Sequence, residues 1–152
     1  DLRGKFQFHD VADSVISIDG YQIISRLVPH IGPTVGYRIE FGGASIAYIS
    51  DHQQPYDGSF AVPDGVRELV EGVDLLIHDA QYTMEEFADK AHWGHCTAEF
   101  AVGIGLACRA KRVALYHHDP DRTDDQLDAT RACSASAGME VFVAREGVTI
   151  AL

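Results

Sequence analysis

Two short apolar runs constrain this chain more than any other feature. Val73 to Ile77 and Val113 to Tyr116 are each followed directly by histidine and aspartate, as His78-Asp79 and His117-His118-Asp119. Runs this short and this apolar mark strands covered on both faces, as in a parallel sheet. Helix-patterned segments separate them, so the chain reads as α/β with polar residues gathered at strand ends.

The remaining elements fit that frame. Ser14 to Ile18 and Tyr21 to Val28 flank the turn pair Asp19-Gly20, and Thr34 to Phe41 and Ser45 to Ile49 flank Gly42-Gly43. Both pairs read as β-hairpins, with a further alternating stretch from Lys5 to Val11. Pro63-Asp64-Gly65 opens a short helix through Glu71, with proline where a helix start tolerates it. Thr83 to Lys90 carries Thr83 and Glu86 at capping-box spacing. Thr97 to Ala110 has little polar face and should be buried. Thr123 to Ala137 is acidic-fronted and stops at Gly138. Glu140 to Ala144 and Val148 to Leu152 are expected to close the chain as a hairpin through Glu146-Gly147.

Composition narrows function. The chain has 152 residues, and its 12 Lys+Arg stand against 23 Asp+Glu, for a formal net charge of −11. General nucleic-acid binding draws its affinity from clustered cations and is not expected here. No apolar run is long enough to span a membrane. Three cysteines, Cys96, Cys108 and Cys133, without a C-x-x-C pair, suggest reduced thiols in a cytoplasmic protein.

The candidate chemistry sits just after strands. His30 follows Tyr21 to Val28, Asp51 follows Ile49-Ser50, and His78-Asp79 and His117-His118 follow the two apolar runs. Strand ends of one sheet can converge on one edge, and a His/Asp set there suits a borderline divalent metal such as Zn²⁺ or Mn²⁺. Each residue alone reads first as an ordinary loop or capping residue; the set His30, Asp51 and His117 reverses that and favours the metal. His95 has a bland reading too, as the residue before the helix cap Thr97. His9 and His52 read as solvated, although His52 is close enough to Asp51 to line a pocket. Trp93 reads as packing or pocket wall, and Asp121, Asp124, Asp125 and Asp128 as a solvated acidic face.

Five segments, in order over about 90 residues, carry a resemblance. They are His30-Ile31-Gly32-Pro33-Thr34-Val35-Gly36-Tyr37-Arg38, Tyr48-Ile49-Ser50-Asp51, Leu75-Leu76-Ile77-His78-Asp79-Ala80, Gly94-His95-Cys96-Thr97 and Leu115-Tyr116-His117-His118-Asp119. Together they resemble the metallo-β-lactamase superfamily, in its ribonuclease Z-like and cyclic-phosphodiesterase branch. Asp79 stands where that branch has glutamate, and Cys96 where it has serine. The resemblance implies two divalent metals, Zn²⁺ or alternatively Mn²⁺ or Fe²⁺, per intact site. His30 would bind the first metal, Asp51 would bridge both, and His117 would bind the second, with the adjacent His118 as the alternative to His117. His95 would be the general acid, oriented by Asp79. Cys96 is then the small residue of its segment rather than a nucleophile.

The family signature H-x-H-x-D-H is absent; His92-Trp93-Gly94-His95 has the wrong spacing and lacks the aspartate. The resemblance therefore covers the C-terminal half of the family domain. The expected fold is half of an αββα sandwich, a mixed sheet with helices on one face, as a single unit over 1–152. About 100 residues carrying the signature ahead of Asp1 would support the enzyme reading, and a reading frame that begins at Asp1 would favour a binding module. Two ligands per metal are too few for a tight site, so this chain alone should bind metal weakly or not at all and be inactive. The uncovered sheet face should recruit either its missing N-terminal half or a second copy, as a dimer. Only 20 residues separate His30 from Asp51, too few for the arm with which the ribonuclease Z family grips transfer RNA. A small or cyclic phosphodiester is the expected substrate. The alternative is a non-catalytic dimerisation or binding module that retains remnant ligands.

Overall fold

A computed structural model describes residues 4–5, 10–133 and 138–152. Its strands are β1 (Val15–Ile18), β2 (Tyr21–Val28), β3 (Thr34–Phe41), β4 (Ala44–Ile49), β5 (Leu75–Asp79), β6 (Arg112–Tyr116) and β7 (Glu140–Val143). Its helices are α1 (Asp64–Val70), α2 (Met84–Lys90), α3 (Ala98–Ala107) and α4 (Asp124–Cys133). One seven-stranded mixed sheet holds the strands in sequence order. β1 to β4 form an antiparallel meander, and β4, β5, β6 and β7 run parallel. The chain is α/β, as the apolar runs require.

Each parallel step crosses over through helix, and crossovers of one hand between adjacent strands put the helices on one side of the sheet. The core confirms it. Val66, Leu69 and Val70 of α1 and Ala101 and Ile104 of α3 pack with Val28, Ala47, Ile49, Leu76, Val113 and Leu115, which share one face by register. α1 lies close because Gly36 lacks a side chain: a Cβ there would stand 2.8 Å from Leu69 Cδ1. Arg38, on the same face, donates to the carbonyls of Leu69 (3.2 Å) and Glu71 (2.8 Å), ending α1 with a cation at its negative pole. On the opposite face Ile18, Tyr21, Leu27, Phe41 and Tyr116 are exposed, and no element among the described residues packs a layer there.

Several expectations are adjusted. The capping box of α2 is formed in full, Thr83 Oγ1 accepting from Glu86 N and Glu86 accepting from Thr83 N. α3 ends at Ala107, before Ala110, and leaves Leu106 exposed. The terminal hairpin does not form. After β7 the chain turns at 145–147, and 148–152 makes no strand; Ala151 O instead accepts from Arg112 (2.9 Å). β7 is drawn into a parallel pair with β6, because β6 offers a free edge and α4 supplies the crossover. Residues 6–9 of the alternating N-terminal stretch, with His9, and the 134–137 end of the last predicted helix lie outside the described residues, as does the Cys133 side chain.

Candidate metal centre

Because β2 and β4 are both antiparallel to β3, they run the same way as β5 and β6. The C-terminal ends of these four strands therefore share one edge of the sheet. His30 leaves β2, Asp51 leaves β4, Asp79 ends β5 and His117 leaves β6, so the topology itself brings them together. His95 arrives from the α2–α3 connection, two residues ahead of the α3 cap Thr97, which accepts from Phe100 N (3.1 Å). The bland and functional readings of His95 thus describe the same residue.

Two overlapping groups result. Ligand atoms of His30, Asp51 and His95 lie within 4.8 Å of one another, as do those of Asp79, His95 and His117. His117 Nε2 is 3.9 Å from Asp51 Oδ1, and His117 Nδ1 is 4.0 Å from Asp79 Oδ1. His117 has a left-handed backbone, φ +54°, which costs a non-glycine residue about 1–2 kcal/mol. That turn is where the chain leaves β6 and the ring meets the two carboxylates.

Asp79 is fully buried and organises the cluster. Its Oδ2 accepts from His52 N (3.0 Å) and from His95 Nδ1 (2.8 Å), and its Oδ1 from Gln81 N (3.1 Å). A carboxylate only accepts, so His95 carries a proton on Nδ1 and presents Nε2 to the site. Burial works to lower the pKa of His95, but the bond to Asp79 and the charges of Asp79 and Asp51 outweigh it, leaving the value above the usual 6.5.

The other strand-end residues part from the site. His78 turns to the helix face, donates from Nδ1 to Asp79 O (2.8 Å) and meets His52 Nδ1 at 2.9 Å. His118 is half-buried, and its neighbour His117 is the ring that joins the cluster; burial holds His118 below its usual pKa. Cys96 is buried, and its thiol donates to Asp79 O (3.0 Å). Burial and the Asp79 charge push that thiol well above its usual pKa, so it is no nucleophile. Trp93 is exposed rather than packed, with the Lys90 ammonium 5.8 Å from its ring centroid.

Sequence reading missed Gly94 and gave His52 the wrong leading reading. His52, expected in solvent, is fully buried. Gly94 sits at φ +99° directly against His30: a Cβ there would stand 2.6 Å from His30 Nε2. A glycine immediately before a site histidine was the available signal for Gly94. For His52 the signal was its place beside Asp51, which had offered a pocket-lining role next to the solvated one.

Comparison with known proteins fits this geometry. A family model described as the beta-lactamase superfamily domain matches residues 2–118. The chain belongs to the metallo-β-lactamase superfamily. Among curated members, ribonuclease Z of Halobacterium salinarum is 34% identical over 94 residues, covering 62% of this chain and 30% of that protein. Among solved structures, the metallo-β-lactamase fold protein YhfI from Bacillus subtilis aligns with TM-score 0.69 at 21% identity, over 90% of this chain and 52% of that one. A diphosphatase from the PhnP family aligns with TM-score 0.65 at 24% identity, over 93% and 47%. The chain spans about half the length of these structures and under a third of the curated relative. The superfamily implies a divalent metal, and the donors here fit one. They are imidazole and carboxylate, the set Zn²⁺ or Mn²⁺ takes, and His117 Nδ1 is buried without a hydrogen-bond partner. No helix among the described residues is long and apolar enough to cross a membrane.

Proposed function

We propose that this chain supplies the C-terminal part of a dinuclear metal-dependent phosphodiesterase acting on small or cyclic phosphodiesters. The convergence of His30, Asp51, Asp79, His95 and His117 on one sheet edge carries the reading. His30 and Asp51 would hold the first metal, and Asp51 and His117 the second. A divalent metal held there would supply Lewis-acid polarisation of phosphoryl oxygens and a water acidified toward neutral pH. His95 gives a proton from Nε2 to the leaving oxygen, while Asp79 keeps the Nδ1 proton and orients the ring. With so few donors per metal, the chain alone holds metal weakly and does not turn over.

The curated relatives are named ribonuclease Z, yet a transfer-RNA substrate fits this chain poorly. Its net charge is −11, and His30 and Asp51 are joined by the strands β3 and β4 with no room for an added arm. A second reading, a binding or dimerisation module, draws support from the exposed Ile18, Tyr21, Leu27 and Phe41 on the open sheet face. That face takes either a second copy or an N-terminal half of the same fold.

Metal titration followed by histidine NMR, with turnover of bis(p-nitrophenyl) phosphate, tests the reading. Substoichiometric binding at His30 and His117, lost on His30→Ala or His117→Ala, is expected, without turnover. Two tightly held metals and turnover by this chain alone overturn the partial site. Binding indifferent to both substitutions overturns the assignment of the ligands.

A further inference from the structure

A cavity beside His30 plays no part in the chemistry above. It encloses about 290 Å³, near the lower end of the range of small-molecule sites, about 300–1,000 Å³. Pro29, Pro55, Tyr56 and Phe100 form much of its wall, and His30 joins it to the metal cluster. No lysine or arginine lines it, so it offers nothing to a second phosphate.

His52 also lines this cavity, and among the described lining residues it holds the buried side-chain polar atom left without a partner. Its side chain is fully buried, with the ring 5.4 Å from that of Phe100, and its Nε2 makes no hydrogen bond among the described residues. Gln53, by contrast, is engaged: Oε1 accepts from Gly94 N (2.8 Å), and Nε2 donates to Gln54 O and Ala91 O (2.6 Å each).

The proton on His52 can be placed by following the chain of bonds. Asp79 O is a carbonyl and can only accept, so His78 Nδ1 carries a proton. A neutral imidazole has one N–H, which makes His78 Nε2 an acceptor and His52 Nδ1, 2.9 Å away, its donor. His52 Nε2 is then a bare lone pair. A buried acceptor with no donor is a cost that a ligand donor would relieve.

We infer that this cavity binds the organic group of the substrate, a single uncharged planar ring that presents one N–H or O–H donor to His52 Nε2. The ring lies against Phe100 and the prolines, and the phosphodiester attached to it reaches the centre at His30. The inference rests on the phosphodiesterase reading for its setting, but the subsite stands or falls by binding alone.

Indole and benzothiophene have nearly the same shape and differ in the N–H, so they isolate the donor. Their affinities for the isotope-labelled full chain can be read by NMR, together with the histidine ring nitrogens. Indole is expected to bind about 3- to 10-fold tighter, the gain of one hydrogen bond. His52 is expected to show an unprotonated Nε2 that shifts with indole and not with benzothiophene. His52→Phe should erase the preference and leave benzothiophene binding within about twofold, the change in one polar contact alone. Equal affinities, a proton on His52 Nε2, or no perturbation at Phe100 and Tyr56 would each overturn the inference. Should His52→Phe fail to fold, the two probes and the tautomer decide on the unsubstituted chain. Neither probe is a phosphodiester, so absent turnover counts against the catalytic reading only.

Discussion

His95 Nδ1 lies 2.8 Å from Asp79 Oδ2, and that oxygen also accepts from the backbone N–H of His52. One buried carboxylate thus fixes the ring of the proposed acid and the backbone beside the proposed bridging ligand. Asp79→Asn cannot satisfy all these donors, since one arm of the amide must present N–H₂ where an oxygen stood. The substitution should cost about 1–3 kcal/mol, the penalty of a buried unsatisfied group. The His95 pKa should fall, because its raised value comes from Asp79 and Asp51 against burial. Urea unfolding and an NMR titration of metal-free protein check both. An unchanged His95 titration would remove Asp79 as its orienting partner.

The buried histidines set an acid limit. Burial lowers the pKa values of His52, His78 and His118 below 6.5, so they stay neutral in the fold while the unfolded chain takes up protons. Stability should therefore fall as pH drops below about 6.5, by at most about 1.4 kcal/mol per pH unit for each histidine. His95 opposes this. Its raised value gives stability that is present below 6.5 and lost as pH rises through the folded value. Denaturant midpoints at pH 5.5 and 7.5 should show the acid loss, and His95→Gln should make it steeper. A flat profile would mean that these rings are not held neutral.

Metal should stabilise the fold through Asp51 if the cluster binds it. With free zinc at about tenfold its dissociation constant, the gain is about 1.4 kcal/mol, a few degrees in Tm for a domain of this size. Asp51→Asn removes the carboxylate nearest both His30 and His117 and should abolish the shift. A zinc-induced rise that survives Asp51→Asn would place the ion elsewhere.

The legible parts of this protein were those dictated by local chemistry. The runs at 73–77 and 113–116 announced buried parallel strands, which form as Leu75–Asp79 and Arg112–Tyr116, and Thr83 with Glu86 announced a helix start that the structure forms with both bonds. His30, Asp51, Asp79, His95 and His117 were legible because strand-end positions and five ordered segments singled them out. What stayed hidden depends on tertiary placement. Val148 to Leu152 alternates like a strand, but after the turn the tail leaves the outer edge of β7 unpaired among the described residues and runs to where Ala151 O meets the Arg112 guanidinium. His52 looks solvated until the crossover brings His78 within 2.9 Å of it. His78 and Asp79 are adjacent in sequence yet go to opposite faces of the sheet, since side chains alternate along a strand.

Gly94 offers the sharpest test of the site's geometry. Its φ of +99° strains any side chain, and a methyl group there would stand 2.6 Å from His30 Nε2 and 2.9 Å from Cδ2. Gly94→Ala therefore carries two penalties, backbone strain and displacement of the His30 ring. Gly147, at φ +77° with nothing within 4 Å of an added methyl, separates them. Gly147→Ala should cost about 1–2 kcal/mol from strain alone and leave the zinc-induced rise in Tm intact. Gly94→Ala should cost at least as much and also lose that rise, because His30 can no longer point its Nε2 past residue 94. Urea unfolding gives the strain of each variant, and Tm with and without zinc gives the placement of His30. If the two alanines prove indistinguishable in the second measurement, the close approach of Gly94 does not position the ligand.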